Sequence, residues 1–226
     1  MTRRVASIRL HPLDFGAKDN SRPLFPRAGA WLFRQRTWIP VPLALALWFV
    51  RAGEASPSSV LVLLGAIVVI CGEGLRLWAV RHIGVVSRTR SDRLGPLVST
   101  GPFGVIRNPL YLGNIALWIG FALSARLVWI VPVFIIVLGL EYHAIVRWEE
   151  QLLASRRGDQ YQAYAGRVPR WMPSVVGRQS TVVGRQSTVV SQAPVTFSWR
   201  ETLFSERGTL IAIAVGYLLL WMKTRL

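Results

Sequence analysis

The sequence predicts an all-α membrane protein with about five transmembrane helices. The chain of 226 residues is 52% hydrophobic and only 17% charged, and its mean hydropathy is +0.37. Soluble domains of this length rarely combine those values. Five apolar runs are separated by arginine-rich connections. The runs lie at about 38–50, 60–80, 110–123, 127–146 and 209–222.

The positive charge is distributed in a way that indicates membrane orientation. The net charge is +16, and the basic residues crowd the leader, the 81–109 connection and the 147–207 segment. Arginines between apolar runs are typical of cytoplasmic loops, whereas nucleic-acid binding needs one continuous basic face. We therefore expect membrane lipids and no nucleic acid as partners. With five spans, the amino terminus is cytoplasmic and the carboxyl terminus lies on the opposite side.

Residues 1–37 form a basic leader with prolines at 12, 23 and 26. The prolines argue against one continuous helix, and we interpret the leader as a cytoplasmic, partly disordered arm. It is too long for a secretory signal, so the first apolar run is expected to be a retained span. That run is short for a bilayer, which needs about 20 residues, and is expected to extend back into the preceding turn.

Two charged residues lie in the second span, predicted at about 60–80. Glu73 and Arg76 are three residues apart, so they share a helix face and can pair. Such a pair is costly in a bilayer unless it faces protein or water. The alternative is that both residues lie in the headgroup layer.

The third and fourth spans are joined by Ser124-Ala125-Arg126, which predicts a tight helical hairpin. The core is assigned to 38–173 and a carboxyl-terminal span to 208–226. Between them, a linker at 174–207 contains Val-Val-Gly-Arg-Gln-Ser-Thr twice, at 175–188. We interpret this repeat as a duplication in a tolerant loop and assign it no function.

An unusual segment, Thr100 to Asn114, precedes the third span. Its Gly101-Pro102 and Asn108-Pro109 pairs restrict the residue before each proline to extended conformations. The start of the third helix therefore has free backbone N–H groups beside Arg107, an arrangement that suits a carboxylate or phosphate. Tyr111 adds a ring and a hydroxyl. The alternative is a membrane-entry turn with an interfacial tyrosine.

The fourth helix ends in a second group of charges. At 100° per residue, His143, Arg147 and Glu150 share one face, so Glu150 is predicted to meet Arg147. Glu149 points elsewhere, toward Arg107 or a ligand. The hairpin brings Glu149 and Glu150 to the end where the Thr100–Asn114 segment lies. The alternative is an interfacial helix end with ordinary snorkelling charges.

Other kinds of chemistry have little support in the sequence. The single cysteine, Cys71, lies in an apolar run, so there is no disulfide framework and no cysteine-based metal site. We find no His-x-x-x-His or Glu-x-x-His pair and expect no metal. A P-loop and a Gly-x-Ser-x-Gly elbow are also missing from the sequence.

Together these elements resemble the isoprenylcysteine carboxyl methyltransferase and phospholipid methyltransferase superfamily. The elements are Gly101-Pro102-Phe103, Arg107-Asn108-Pro109-Leu110-Tyr111-Leu112-Gly113, Arg147-Trp148-Glu149-Glu150, Tyr161-x-x-Tyr164 and Val168-Pro169-Arg170-Trp171-Met172-Pro173. The resemblance covers about 75–173. It implies an integral membrane enzyme with a cytoplasmic pocket for S-adenosylmethionine.

By position in the motifs, the resemblance implies catalytic and cofactor-binding residues. The catalytic candidates are Glu149, Glu150 and Arg107. The cofactor-pocket candidates are Gly101, Arg107, Asn108, Pro109, Tyr111, His143, Glu149 and Glu150. Gly72-Glu73-Gly74 is similar to the short Gly-x-Gly element of the phospholipid N-methyltransferases.

One position departs from the commoner family pattern, which reads Arg-His-Pro where this chain has Arg107-Asn108-Pro109. Asparagine can hydrogen-bond but cannot shuttle a proton. The Asn-Pro version resembles some phospholipid methyltransferases and favours a lipid head group as acceptor. The expected reaction is carboxyl O-methylation or head-group N-methylation of a lipid-like or prenylated substrate.

Two further hypotheses stay open on the sequence. A similar Arg-His-Pro-x-Tyr element occurs in membrane sterol reductases that use NADPH. The Glu149-Glu150 pair favours the methyltransferase. The third hypothesis is a non-catalytic scaffold whose arginine-rich loops bind anionic lipid.

Overall fold

The computed structural model describes residues 24–36, 38–84, 97–172 and 198–226. Within these ranges every regular element is helical. The helices are α1 (Leu24–Gln35), α2 (Pro40–Phe49), α3 (Ser59–Ile83), α4 (Pro109–Ser124), α5 (Ile130–Arg157), α6 (Asp159–Arg167) and α7 (Trp199–Lys223), with a 3-10 turn at Gly101–Gly104. The expectations for the first part of the leader and for the tandem repeat lie outside the described residues. The division into leader, core, linker and final span stays a prediction.

Three of the helices are long and apolar enough to cross a membrane, namely α3, α5 and α7. An all-helical fold with three candidate membrane spans is thus confirmed for the described residues, but five spans are not. α2 has 10 residues and α4 has 16. At 1.5 Å per residue they measure about 15 Å and 24 Å, against a hydrocarbon core of about 30 Å.

α1 is a helix that the sequence did not predict, and it forms within the predicted leader. It packs against the second half of α5, where a Cβ added to Gly29 would lie only 2.7 Å from Cβ of Trp148. The ring of Phe33 lies 5.0 Å from that of Trp148. Backbone N–H groups of Trp38 and Ile39 both donate to the carbonyl of Gln35, at 2.8 and 3.2 Å. α2 therefore follows α1 directly after a short turn.

Glycines allow α3 and α4 to approach closely. A Cβ added to Gly72 would lie 2.9 Å from Cβ of Ala116 and 2.9 Å from the carbonyl oxygen of Gly113. Gly65 meets Gly120 in the same way two turns along. Small residues are the usual means of close packing between membrane helices. Gly72 is thus accounted for by packing alone.

The tight hairpin between α4 and α5 is confirmed. Arg126 has a φ of 62°, and its N–H donates to the carbonyl of Leu123 over 2.9 Å, while Leu127 donates to Ala122 over 3.0 Å. These bonds close the turn, so that α5 begins at Ile130. The core then forms along α5, where Phe134, Leu138 and Ile145 are fully buried, together with Leu127 of the turn and Leu47 of α2.

Helix α7 is attached mainly through polar groups. Its buried residues are Thr202, Glu206 and Lys223. Lys223 Nζ lies 2.7 Å from Glu54 Oε1 and donates to two carbonyl oxygens at the end of α2, at 2.9 and 2.6 Å. Glu54 also pairs with Arg126 over 2.9 Å. We call Glu54, Arg126 and Lys223 the hairpin-end ion cluster.

Candidate functional site

The segment before α4 is held rigidly. Gly101 has a φ of 58°, a conformation that favours glycine, and a side chain there would collide with the ring of His82. Pro102 and Phe103 are buried, and the carbonyl of Phe103 accepts a hydrogen bond from the Tyr164 hydroxyl at 2.8 Å. Pro109 occupies the first turn of α4, where its missing N–H has no helical partner to lose.

Glu150 is the carboxylate on which two arginines converge. Arg107 Nη1 lies 2.9 Å from Glu150 Oε1. Arg170 makes a two-point contact, Nε to Oε1 at 3.0 Å and Nη2 to Oε2 at 2.5 Å. Charge-assisted, two-point contacts of this kind are strong and directional. The hydrogen bond to Glu150 raises the pKa of Arg170, so this guanidinium stays charged.

The segment after α6 returns to the start of α4. Arg107 N–H donates to the carbonyl of Pro169 over 2.9 Å, and Asn108 Nδ2 donates to the carbonyl of Arg170 over 3.2 Å. The Tyr161 hydroxyl accepts a long bond of 3.4 Å from Arg107 Nη1. Burial first, and then the nearby Glu150 charge, raises the pKa of Tyr161, so the phenol stays protonated.

Glu149 has a different environment from its neighbour. Its Oε1 accepts a hydrogen bond from the Tyr111 hydroxyl at 3.0 Å, and the Tyr111 ring lies 4.9 Å from that of Tyr142. Arg36 acts on Glu149 electrostatically while its guanidinium stacks 4.0 Å over the ring of Phe33. Glu149 is thus bonded to an uncharged phenol, whereas Glu150 is paired with two cations.

The arginine partners predicted for the two glutamates are wrong, while a ligand as the partner of Glu149 stays a prediction. Glu150 does not meet Arg147, which is exposed, but pairs with Arg107 and Arg170. Glu149 meets Tyr111 rather than Arg107. The i,i+3 spacing describes only contacts within α5. The chain segments before α4 and after α6 bring stronger partners to the same end of the helix.

The structure brings most of the predicted site residues together. Glu149, Glu150, Arg107, Asn108 and Tyr111 contact each other or share partners at the start of α4, with Pro109 among them. Gly101 lies against His82 instead. His143 is half-buried on α5 and, within the described residues, has no hydrogen bond to this group. Arg170, Tyr161 and Tyr164 belong to the family pattern but had no predicted role, and the structure places them beside this group.

A second polar cluster lies deeper in the helix bundle. Arg76 Nε donates to Glu73 Oε2 at 3.2 Å. Its Nη2 donates to Glu206 Oε2 at 2.6 Å and to Thr209 Oγ1 at 3.0 Å, and its Nη1 donates to Asn114 Oδ1. We call these five residues the Arg76 cluster. Glu73 and Arg76 are 5% and 6% exposed, so their predicted pair faces protein.

Two members of the Arg76 cluster, Glu206 and Thr209, were missed by the sequence analysis. They are three residues apart on α7 and therefore share a helix face. That spacing, just before the final apolar run, is the signal that was available. Among the described residues, no group of three or more histidine, cysteine, aspartate or glutamate side chains is placed to hold a metal ion.

Comparisons with known proteins agree with the family resemblance. Residues 60–160 match the family model for phospholipid methyltransferase. The nickel-cobalt-cadmium resistance protein NccN of Alcaligenes xylosoxydans xylosoxydans is 29% identical over 118 residues, which is 52% of this chain and 52% of that protein. The cobalt-zinc-cadmium resistance protein CzcN of Cupriavidus metallidurans is 28% identical over 118 residues, 52% and 51%. The similarity spans about half the length of these relatives. No solved structure matches the chain.

Proposed function

We propose that this chain, whose residues 60–160 belong to the phospholipid methyltransferase family, transfers a methyl group from S-adenosylmethionine to a lipid-like or prenylated acceptor. The observation that carries the proposal is that two different groups lie at the same end of the α4–α5 hairpin. One is the Glu149 carboxylate, and the other is the pair of arginines bound to Glu150. Tyr111 holds Glu149, while Glu150 holds Arg107 and Arg170. This end of the bundle is proposed to face the cytoplasm.

The residues fit the charges of that cofactor. S-adenosylmethionine has a sulfonium, an ammonium group and a carboxylate. Arg107 Nε is buried and has no hydrogen-bond partner among the described residues, and a buried donor left unsatisfied costs about 1–3 kcal/mol. A cofactor carboxylate would satisfy it. Glu149, whose hydrogen-bond partner is uncharged, is suited to balance a cationic group. When bound, the cofactor supplies an electrophilic methyl group.

The residues of the site then have separable tasks. Arg107 would orient the cofactor and Glu150 would hold Arg107, while Tyr111 and Tyr142 would shield the site from water. Holding donor and acceptor in line is the main contribution to methyl transfer. A carboxylate acceptor needs no base, whereas an amine must lose a proton, for which Glu149 is the candidate. Asn108 is committed to the carbonyl of Arg170.

A binding experiment tests the proposal. The protein in lipid nanodiscs is titrated calorimetrically with S-adenosylmethionine and separately with NADPH. We expect saturable binding of S-adenosylmethionine and a loss of about 10–100-fold in Glu150→Ala, since hydrogen bonds to charged groups contribute about 1.5–3 kcal/mol. Arg147→Ala is the control, because Arg147 is exposed on the same helix. Saturable binding of NADPH alone, or equal affinities in wild type and Glu150→Ala, would overturn the assignment.

A second experiment identifies the acceptor. The protein is incubated with S-adenosylmethionine carrying a radiolabelled methyl group and with a native lipid extract, and the labelled product is then analysed. Label that resists mild alkali indicates N-methylation, while label released as methanol indicates a methyl ester. Absence of labelled lipid alongside confirmed cofactor binding would contradict the proposed acceptor class.

A further inference from the structure

The Arg76 cluster includes a residue that lies outside the family-matched region. Glu206 belongs to α7, whereas the match ends at residue 160. Its side chain is fully buried, with a relative exposure of 0%, and its Oε2 accepts a 2.6 Å bond from Arg76. Charged residues inside membrane spans are costly and usually serve a function. Glu206 therefore needs an explanation beyond span formation.

The guanidinium of Arg76 is fully engaged within the protein. It donates to Glu73, Asn114, Glu206 and Thr209, which come from α3, α4 and α7. A guanidinium has five N–H donors in a fixed planar arrangement. With acceptors on all three nitrogens, Arg76 is suited to hold other side chains in place rather than to bind a ligand.

One of those side chains leads to the candidate site. The Asn114 carbonyl oxygen accepts from Arg76, so its amide NH₂ is turned the other way, and the Asn114 side chain lies beside Tyr142. The Tyr142 ring packs 4.9 Å from Tyr111, which holds Glu149 over 3.0 Å. A continuous series of contacts thus joins α7 to the carboxylate proposed to face the cofactor.

We infer that Glu206 is a positioning residue for the candidate site, acting through Arg76 and Asn114 on the Tyr142–Tyr111–Glu149 group. Glu206 fixes the plane of the Arg76 guanidinium, and that plane fixes the Asn114 amide. The inference rests on the proposed function for its effect on cofactor affinity, but its structural effect is measurable without a cofactor. α7 is then part of the functional unit.

The other end of α7 provides a matched control. Lys223 is also buried and also pairs with a glutamate, Glu54, but it lies 17 positions from Glu206, about 25 Å along the helix. Glu206→Gln and Lys223→Met each remove one charge with little change in volume. Each leaves the remaining ion pair in place, Arg76 with Glu73 and Glu54 with Arg126. If Glu206 only docks α7, both variants should behave alike.

Hydrogen–deuterium exchange of the cofactor-free protein in nanodiscs is the first measurement. We expect Glu206→Gln to increase exchange at residues 109–114 and 142–150, and Lys223→Met to increase it near residues 47–55 only. Unchanged exchange at both site segments in Glu206→Gln would overturn the inference, whatever the cofactor proves to be. If Glu206→Gln does not fold, Thr209→Val removes one Arg76 contact and is expected to change the same segments.

Cofactor affinity is the second measurement. We expect Glu206→Gln to weaken the binding of S-adenosylmethionine at least fivefold and Lys223→Met to change it less than twofold. In a double-mutant cycle, Asn114→Ala should remove most of the effect of Glu206→Gln, because the two act in series. The inference is contradicted if the losses of affinity in Asn114→Ala and Glu206→Gln are additive. It is also contradicted if Glu206→Gln and Lys223→Met weaken binding equally. Failure of the wild type to bind contradicts the proposed function instead.

Discussion

The Tyr111 hydroxyl on α4 donates to Oε1 of Glu149 on α5 over 3.0 Å. The two residues lie 38 positions apart, and their helices are joined covalently only at the hairpin turn at the opposite end. The bond therefore fixes the open end of the hairpin. It also separates the roles of two adjacent glutamates, because Glu150 is occupied by Arg107 and Arg170.

Replacing Tyr111 with phenylalanine should weaken cofactor binding while preserving the fold. The ring still packs on Tyr142, but Glu149 loses its donor and its fixed orientation. We expect the Kd for S-adenosylmethionine to rise about tenfold, since hydrogen bonds to charged groups contribute about 1.5–3 kcal/mol. Tyr217→Phe is the control, because its hydroxyl bonds Ser124 at the hairpin end. Equal effects of the two substitutions, measured by calorimetry, would show that the Glu149 contact has no special role.

Arg170→Lys should reduce cofactor affinity, although it retains the positive charge. Lysine cannot reproduce the two-point contact that Arg170 makes with Glu150 at 3.0 and 2.5 Å. Glu150 would then be held by Arg107 alone, and we expect a five- to tenfold loss of affinity. Arg167→Lys, at an exposed arginine of α6, is the control. An unchanged Kd in Arg170→Lys would place this arginine outside the site.

Gly72→Leu and Gly74→Leu distinguish helix packing from cofactor binding. A side chain at Gly72 meets Ala116 and Gly113, whereas a Cβ at Gly74 has no described atom within 4 Å. We expect Gly72→Leu to lower the free energy of unfolding by about 1–3 kcal/mol or more, and Gly74→Leu to have little effect. Thermal unfolding in detergent measures both. A loss of cofactor affinity in the folded Gly74 variant would instead support a cofactor role for the Gly-x-Gly element.

Removing the Glu141 carboxylate should stabilise the protein. Both of its oxygens are buried and, in the part of the chain that the structure describes, have no hydrogen-bond partner. The residue is 6% exposed. An unsatisfied buried polar group costs about 1–3 kcal/mol, so Glu141→Met should raise the melting temperature by several degrees. Leu138→Met, at a fully buried neighbour on the same helix, controls for the effect of methionine. A lower melting temperature in Glu141→Met would mean that the carboxylate has a stabilising partner.

The sequence was sufficient for features that depend on local rules. Ser124-Ala125-Arg126 predicted the hairpin because such a short connection permits only antiparallel neighbours, and the spacing of Glu73 and Arg76 predicted their pair. The hairpin alone predicted that the Thr100–Asn114 segment lies close to Glu149 and Glu150. These predictions required no knowledge of other parts of the chain.

Features that depend on distant contacts were not predictable. Glu150 prefers Arg107 and Arg170 to Arg147 because its surroundings come from outside α5. α1 tolerates Pro26 because this residue lies in its first turn, where no N–H is needed, and the helix packs on α5. Five spans are not confirmed, because the apolar runs predicted at about 38–50 and 110–123 form helices of only 10 and 16 residues. The contact of Glu206 was not predictable because its partner, Arg76, lies on a different helix.

The polar attachment of α7 has a consequence for biosynthesis. α7 is long and apolar enough to cross a membrane, and most of its apolar surface is exposed. It can therefore enter the bilayer by itself and associate afterwards through Thr202, Glu206 and Lys223. Fragments 1–172 and 198–226, produced as separate polypeptides in one cell, should then co-purify as a complex. Their recovery together would depend on Glu206 and Lys223. The final helix would then behave as a separate subunit that is covalently joined to the rest of the chain.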